Sequence, residues 1–422
     1  MRWLKVRDRA AYLQLTGVLF LVFAAAGTIS PLLSNYIVSL GADTGQIGLV
    51  FAVYQVSSLA SQYWWGLRSD RMGRRKPLVL IGTAGLALAY LAAAGVGWYG
   101  WLFLVRALEG IAFAAYSTGA LALIGDVLEN EQARGRLMGM YRMFGSLAFS
   151  IAALSGGLLA DVAGLRAPVL MAAGFYALAF LLVSRVRERP RASDQRPAND
   201  EQPAPGPLQQ EDAAPPAGSR WSLGDARSVA LLSFLALAAA WFIGMGSVVA
   251  LWPVYMRGAG HSQTTISALW ALAALGEVPC LMLAGYLADR FSRKWVIIGG
   301  VSGMACVYLA YTVSTALAWL IPVQMVRSLA YSCFEAPALL YATELGLRER
   351  RGRMAGLYNT VTGAGGVSGS AVGGAVAQQI GMPAMFRGVA LLMLAVALAA
   401  ALVMPRLRGA AADAQRAPRP AS

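Results

Sequence analysis

The chain has 422 residues, 58% of them hydrophobic and 13% charged, with a net charge of +14 and a mean hydropathy of +0.56. A soluble domain of this length does not need such an apolar excess, so the bilayer is the expected solvent. Nucleic-acid binding would require a basic face on a folded soluble domain, whereas these basic residues fall in short segments between apolar stretches.

Apolar windows of about 20 residues predict twelve membrane helices, over 13–38, 46–66, 77–97, 101–124, 136–160, 167–186, 228–256, 264–288, 295–314, 317–342, 354–378 and 384–404. Arg2, Lys5, Arg7 and Arg9 imitate the start of a signal peptide, but the stretch behind them outruns an h-region and eleven more follow. The first window is therefore read as a transmembrane helix. Residues 187–227 are dense in Pro, Ala, Gln, Asp and Glu and cannot bury a core. They are expected to form a disordered cytoplasmic linker between a six-helix bundle over 1–186 and a second over 228–405, with a similar tail over 406–422.

With the N-terminus inside, 29 of the 35 Lys and Arg residues lie in cytoplasmic segments. Three (Arg166, Arg257, Arg387) lie outside, and Arg106, Arg142 and Arg327 lie within helices. This is the positive-inside pattern, and it places both termini in the cytoplasm. Only three of the basic residues are lysine, which with abundant Ala, Gly and Pro suggests a GC-rich bacterial genome and hence a bacterial plasma membrane. Cys280, Cys306 and Cys333 fall inside predicted helices and read as small buried groups, with no disulfide framework.

A phrase recurs 219 positions apart, after spans 2 and 8. Gly66-Leu67-Arg68-Ser69-Asp70-Arg71-Met72-Gly73-Arg74-Arg75 returns as Gly285-Tyr286-Leu287-Ala288-Asp289-Arg290-Phe291-Ser292-Arg293-Lys294. Arg134-Gly135-Arg136, entering span 5, returns as Arg351-Gly352-Arg353, entering span 11, and Arg106 of span 4 matches Arg327 of span 10. Such a duplication implies two similar halves related by a two-fold axis, with a cleft between them.

These motifs resemble those of the major facilitator superfamily along the whole length of the chain. The loop phrase after span 2, its weaker copy marked by Asp289, Arg106 followed four residues later by Gly110, and Asp126 ahead of Arg134-Gly135-Arg136 all match that superfamily's patterns. The resemblance implies an all-α membrane fold of two pseudo-symmetric six-helix bundles around a central cavity, working as a monomer. Glu277-Val278-Pro279 is similar to a Glu-x-Pro of some sugar-efflux and nucleoside or aromatic-acid uptake members. Gly156-Gly157 matches the end of the drug antiporters' span-5 pattern, but Ala152-Ala153 stands where Gly-Pro belongs.

Gly66 and Gly285 are expected where helices approach closely. Asp70 and Asp289 are expected to pair with Arg71, Arg74, Arg290 or Arg293 nearby and with the helix starts of the other half. Asp70 would face span 11 near Arg351 and Arg353, and Asp289 would face span 5 near Arg134 and Arg136. Together they would form a latch that shuts the cytoplasmic side.

Charges inside the bilayer cost about 2.5–3.5 kcal/mol each on insertion scales and should face protein or a water-filled cavity. The candidates are Arg106, Glu109, Arg142, Glu277, Arg327 and Glu335. Arg106 and Glu109 are three apart and can pair on one helix face. Glu277 and Glu335 have no partner on their own helices, and a carboxyl at that depth can exchange a proton as its exposure changes. Structural pairing with Arg142 or Arg327 is the alternative. Tyr54, Gln55, Gln62, Tyr116, Tyr141, Trp270, Gln324, Tyr331 and Asn359 are further candidates for a cavity lining. Gly365, Gly369 and Gly373 form a small-residue stripe in span 11, with Gly363, Gly366 and Gly374 beside it.

No nucleotide-binding loop or hydrolase motif is present, and one histidine with three scattered cysteines supplies no catalytic or metal constellation. The expectation is a secondary transporter without cofactor, not an enzyme. It would carry a small organic solute and H+ by alternating access, with efflux of a sugar or drug-like compound leading. Proton-coupled uptake of a sugar, nucleoside or aromatic acid is the rival. A lipid translocator holding a headgroup phosphate on Arg106, Arg142 and Arg327 is the reading from another class.

Overall fold

The computed structural model describes residues 8–72, 74–128, 134–186, 226–345 and 351–404. The linker over 187–225 and the tail from 405 onward lie outside them, as do the side chains of Asp70, Arg71, Arg134, Arg351 and Arg353. Among the described residues there are thirteen helices and no strand. The first half holds α1 (Arg9–Ile29), α2 (Leu33–Ser39), α3 (Thr44–Met72), α4 (Lys76–Gly95), α5 (Gly100–Val127), α6 (Arg134–Ala163) and α7 (Arg166–Arg185). The second holds α8 (Ala226–Gly258), α9 (Gln263–Arg290), α10 (Arg293–Tyr311), α11 (Leu317–Leu345), α12 (Arg351–Ile380) and α13 (Met382–Val403).

Two expectations about element bounds change. The first span is broken into α1 and α2, because Pro31 has no N–H to give and its ring crowds the preceding turn. The repeated phrase is helical rather than loop at its start, since α3 runs on to Met72 and α9 to Arg290. Their final basic residues then sit at helix C-termini, where the macrodipole favours them.

At the end opposite the basic loops the connections are short, and the duplication is visible in the backbone. Among the described residues the positive-φ positions are Gly41 (φ 90°), Gly164 (81°), Gly260 (91°) and Gly381 (86°). Gly41 and Gly260 are 219 apart, and Gly164 and Gly381 are 217 apart, the same offsets as the sequence repeat. Each turn therefore recurs with its obligatory glycine. At the basic end, Lys76 Nζ donates to Ser184 O (2.8 Å) at the end of α7. Lys294 Nζ donates to Ala401 O (2.7 Å) and Met404 O (2.5 Å) at the end of α13. Each lysine thus caps the last helix of its own half, satisfying carbonyls that have no helical donor.

The halves meet through α3 against α12 and α6 against α9. Ten of the twelve long helices are apolar enough to cross a membrane by composition alone; α3 and α12 fall short. These two carry their Gly, Ser and Thr because they face each other rather than lipid, and small residues let the backbones close in. The glycine stripe of α12 splits between two neighbours. Gly365, Gly369 and Gly373 abut α8 of the same half at Ala239, Ile243 and Ser247, whereas Gly366 and Gly374 abut Gln55, Thr44 and Gly48 of α3. On α6, Gly156 abuts Thr28 of α1 and Gly157 abuts Ser267 of α9. Gly156-Gly157 and Gly373-Gly374 are 217 apart and make equivalent contacts, one glycine inward to its own half and one across.

A Cβ at Gly374 would lie 2.7 Å from Thr44 O and 2.9 Å from Gly48 Cα, both backbone atoms that cannot rotate away. Gly374→Val should therefore hold this end of the cleft open. With the native cysteines replaced, a cysteine pair at positions 43 and 378 should cross-link readily on the parent background and slowly beside Gly374→Val. Equal cross-linking rates would show that the contact does not govern closure.

Candidate functional site

Between the halves lies a cavity of about 280 Å³, lined by Phe23 of α1, Ser146 and Phe149 of α6, Met245 and Val249 of α8, Trp270, Ala274 and Glu277 of α9, and Arg327 and Tyr331 of α11. Helical spacing builds its charged wall. Trp270, Ala274 and Glu277 follow i, i+4, i+7 on α9, and Arg327, Tyr331 and Glu335 follow i, i+4, i+8 on α11, so each set shares one face. The Arg327 guanidinium lies 5.3 Å from the Trp270 ring centroid, a cation–π contact that holds it against the wall. Glu277 and Arg327 face the same cavity without forming an ion pair. Arg327 and Glu335 are the charged groups whose fields act on Glu277. Pro279 and Pro337 lie two residues beyond Glu277 and Glu335, and each removes one helical hydrogen bond beside its carboxylate.

Arg142 stands apart from these. It is exposed, one turn before Ser146 on the cavity face of α6 and nearer the basic end. Asn359 is likewise exposed, two turns before Gly366 on α12. Neither lines the cavity.

The charged site of the first half is sealed. Arg106 Nη1 bonds Glu109 Oε2 at 2.5 Å, and Tyr90 OH donates to Glu109 Oε1 at 2.8 Å. Arg106 and Glu109 are only 5% and 7% exposed, so neither reaches the central cavity. The guanidinium stacks on Tyr54 (4.2 Å) and Phe51 (5.5 Å) of α3. Phe51 and Trp270 are 219 apart, so each half carries an arginine over a repeat-related ring. The halves differ in pairing: Arg106 is bonded to Glu109 on its own helix, whereas Arg327 forms no ion pair with Glu277 of α9 or Glu335 of α11. Arg106, Arg142 and Arg327 accordingly do not form one cluster for a phosphate.

At the end opposite the basic loops the halves are hydrogen-bonded. Asp161 of α6 accepts from Gln263 N (3.0 Å), Thr264 N (2.8 Å) and Thr264 Oγ1 (2.6 Å), capping α9 from the other half. Ser262 caps the next amide, Thr265 N, at 3.1 Å. Asn35 Nδ2 donates to Gln263 Oε1 (2.9 Å), and Gln378 Nε2 donates to Asp43 Oδ2 (3.1 Å). Asp161 and Gln378 are 217 apart, and Asp43 and Ser262 are 219 apart, so this gate is itself duplicated. Nearer the middle, Gln55 Nε2 donates to Ser370 Oγ at 3.1 Å. Asn35 Nδ2 also donates to Pro253 O at 3.4 Å, and among the described residues all these hydrogen bonds between halves lie away from the basic end.

A Cβ at Gly66 or Gly285 would meet nothing within 4 Å, so neither glycine makes the expected close approach. Asp289 and Arg136 are both exposed and do not pair with each other. Arg74 is exposed, Arg290 Nη1 donates to Tyr286 OH (2.7 Å), and Arg293 is buried within its own half. The other latch candidates, Asp70, Arg71, Arg134, Arg351 and Arg353, have side chains outside the described residues. At the basic end Arg75 Nε pairs with Asp126 Oδ2 at 2.9 Å, which ties the start of α4 to α5 within the first half.

Several participants lay beyond the sequence reading. Phe23, Phe149, Met245 and Val249 are apolar among many apolar helix residues, and nothing in their spacing marks them. Asp161 did carry a signal: it sits at the repeat equivalent of Gln378, beside Gly156-Gly157. Trp252 and Tyr255 pack on Tyr311 and Phe386 inside the second half, while Trp98 and Trp101 are exposed, as residues of an interfacial aromatic belt are.

The family model described as "MFS_1 like family" matches residues 12–388. The chain belongs to the major facilitator superfamily. It is 26% identical over 348 residues to a maltose permease of Geobacillus stearothermophilus, covering 81% of each chain. It is 27% identical over 332 residues to the class D tetracycline resistance protein of Salmonella ordonez, covering 76% of this chain and 77% of that one. The crystal structure of the nucleoside transporter NupG superposes with a TM-score of 0.76 at 16% identity, over 93% of this chain and 99% of that chain, a likeness of fold. The protein is a multi-pass membrane transporter of small molecules and not an enzyme.

Two variants test this division of the charges. Removing one member of a buried pair strands the other, at a cost of roughly 3–5 kcal/mol, whereas replacing both by apolar groups is close to neutral. Glu109→Gln should sharply lower the unfolding temperature in detergent, and Arg106→Met with Glu109→Leu should recover most of it. At the gate, Asp161→Asn removes the cap charge and should favour opening of that end several-fold, read as faster thiol labelling of a cysteine at position 267. Unchanged labelling would exclude Asp161 as a closure element.

Proposed function

We propose that this transporter is a proton-coupled exporter of a small amphipathic organic solute, acting as a monomer in a bacterial plasma membrane with its basic end in the cytoplasm. In that orientation the gate of Asp161, Asp43 and Asn35 closes the outer side and the cavity opens inward. Asp289, Arg136 and the rest of the repeated phrase would pair only in the opposite state, when the inner side shuts. Gly66 and Gly285 would meet their neighbours in that state too.

The observation that carries the reading is the unpaired approach of Glu277 and Arg327 to one cavity. With Glu335 they form a site of one cation and two carboxylates, and a low-dielectric site favours overall neutrality. An empty site is neutral with one proton on the carboxylates. A bound monocation makes it neutral with none, so cation and proton exchange and an inward proton gradient drives efflux. An anion would need both carboxylates protonated and would enter together with H+, which is the uptake alternative. Solute charge and transport direction are thus linked through the same three groups.

The wall chemistry supports a drug-like solute over a sugar. Phe23, Phe149, Met245, Val249, Trp270, Ala274 and Tyr331 face the cavity, against Ser146, Glu277 and Arg327 as polar groups. A sugar's hydroxyls would be left without partners there, each at a desolvation cost. The name of the tetracycline resistance relative is consistent with export; the maltose permease's is not.

Vesicles with an imposed pH gradient test the reading. Glu277→Gln should abolish gradient-driven transport while the protein still elutes as a single species. Solute binding to the wild type in weakly buffered detergent should release protons. Proton uptake on binding would reverse the assigned direction, and full gradient-driven transport in both Glu277→Gln and Glu335→Gln would remove the carboxylates as carriers.

A further inference from the structure

A second cavity of about 200 Å³ lies on the other side of α8, lined by Phe51 and Gln55 of α3, Phe242, Met245, Gly246, Val249 and Ala250 of α8, and Gly366 of α12. Met245 and Val249 line both spaces, so these two side chains form the partition between them. They are one turn apart on α8, on a single stripe. Ligand pockets for drug-sized molecules hold about 300–1,000 Å³; at about 280 and 200 Å³ neither lobe reaches that range alone, and the joined space does.

The lobes differ in chemistry. The first has Glu277 and Arg327 on its wall. The second has one polar side chain, Gln55, whose amide is already committed to Ser370 Oγ at 3.1 Å. Its remaining walls are the Phe51 and Phe242 side chains, the two shared residues, Ala250, and the bare backbone at Gly246 and Gly366. The glycines are required by packing as well as by space, since a Cβ at Gly246 would meet Gly366 O and one at Gly366 would meet Gln55 Oε1. The partition is soft. Methionine is flexible at three bonds and adapts to different partners, although the Met245 sulfur here accepts from Tyr308 OH at 3.4 Å.

We infer that the two lobes form one bipartite site for an elongated amphipathic cation. Its charged centre lies beside Glu277 and its aromatic or aliphatic body passes Met245 and Val249 into the Phe51–Phe242 lobe. This rests on the proposed export reading for the sign of the charge. The second lobe adds the shape: a ligand with its charge at one end and an uncharged body at the other. Phe242 sets how large that body can be, and Val249 sets whether it can enter.

The test uses the full-length protein in detergent with two probes, tetramethylammonium, which fits the first lobe alone, and benzyldimethyldodecylammonium, which requires both. Val249→Phe narrows the passage and should weaken binding of the long cation about tenfold or more, as loss of a filled apolar pocket does, and weaken tetramethylammonium binding far less. Phe242→Ala enlarges the second lobe and should improve binding of a naphthyl-tailed analogue relative to the benzyl one, which covers the case in which Val249→Phe fails to fold. Equal weakening of both probes by Val249→Phe, or no change in tail preference with Phe242→Ala, would overturn the bipartite site while leaving export intact. If neither probe binds the wild type and a neutral or anionic solute does, the charge assignment fails and the inference falls with it.

Discussion

The architecture depends on two places where backbones touch. Gly157 of α6 against Ser267 of α9, and Gly374 of α12 against Gly48 of α3, bring helices of opposite halves close enough that a side chain on either glycine has no room. Van der Waals packing of this kind is the main force available between helices in lipid, where burial from water gives no advantage. The partner glycines Gly156 and Gly373 fasten the same helices to α1 and α8 of their own halves. Thus α6 and α12 each hold one glycine contact within their own half and one to the other half, and on the proposed reading only the second would break when the closed end opens. The gate residues stand just beyond the glycines on the same helices: Asp161 is one turn past Gly157, and Gln378 one turn past Gly374.

That arrangement assigns a role to the polarity of α3 and α12. A helix facing lipid along its length can afford only apolar groups, whereas one that repeatedly separates from its partner exposes its contact face to water in one state and buries it in the other. Glycine, serine and threonine suit both conditions, since they pack closely when buried and leave little apolar surface when wet. The short polar contacts at the closed end are of the same kind. Each is a single hydrogen bond or cap with a net worth of about 0.5–1.5 kcal/mol, so the set can hold a state without trapping it.

The sequence made the duplication and its helices legible because both rest on local signals: apolar length, basic loops and a phrase repeated at constant offset. It even held the gate, in the repeat relation of Asp161 to Gln378, though a lone aspartate at a helix end draws no notice without its partner in space. What it could not carry was the division of labour among the buried charges. Arg106, Arg327, Glu277 and Glu335 look alike along the chain; whether each is spent on a neighbour depends on which helices pack together. The cavity's apolar lining is illegible for a related reason, since in a chain where 58% of residues are hydrophobic an exposed phenylalanine and a buried one are written the same way. The phrase after span 2 misled in one respect. Its glycines were expected at a close approach, and no atom lies within 4 Å of a Cβ at either.

The contrast between the two arginines indicates how a symmetric duplication acquires a one-sided chemistry. Each half inherits an arginine laid over a ring of the neighbouring helix, Arg106 on Phe51 and Arg327 on Trp270. In the first half the residue one turn on is Glu109, and Tyr90 completes a closed, neutral unit that faces no solvent. In the second half the residue at the matching position, Ala330, carries no charge; Glu335 stands two turns beyond Arg327 on α11, and Glu277 stands on α9, facing a cavity. A pair on one helix keeps its geometry whatever the halves do. A cation and a carboxylate on two helices, each helix interrupted by proline, can change separation as those helices bend. On the proposed reading, the symmetry of the fold would supply the motion between states, and the broken symmetry of its charges would place the coupling in one half.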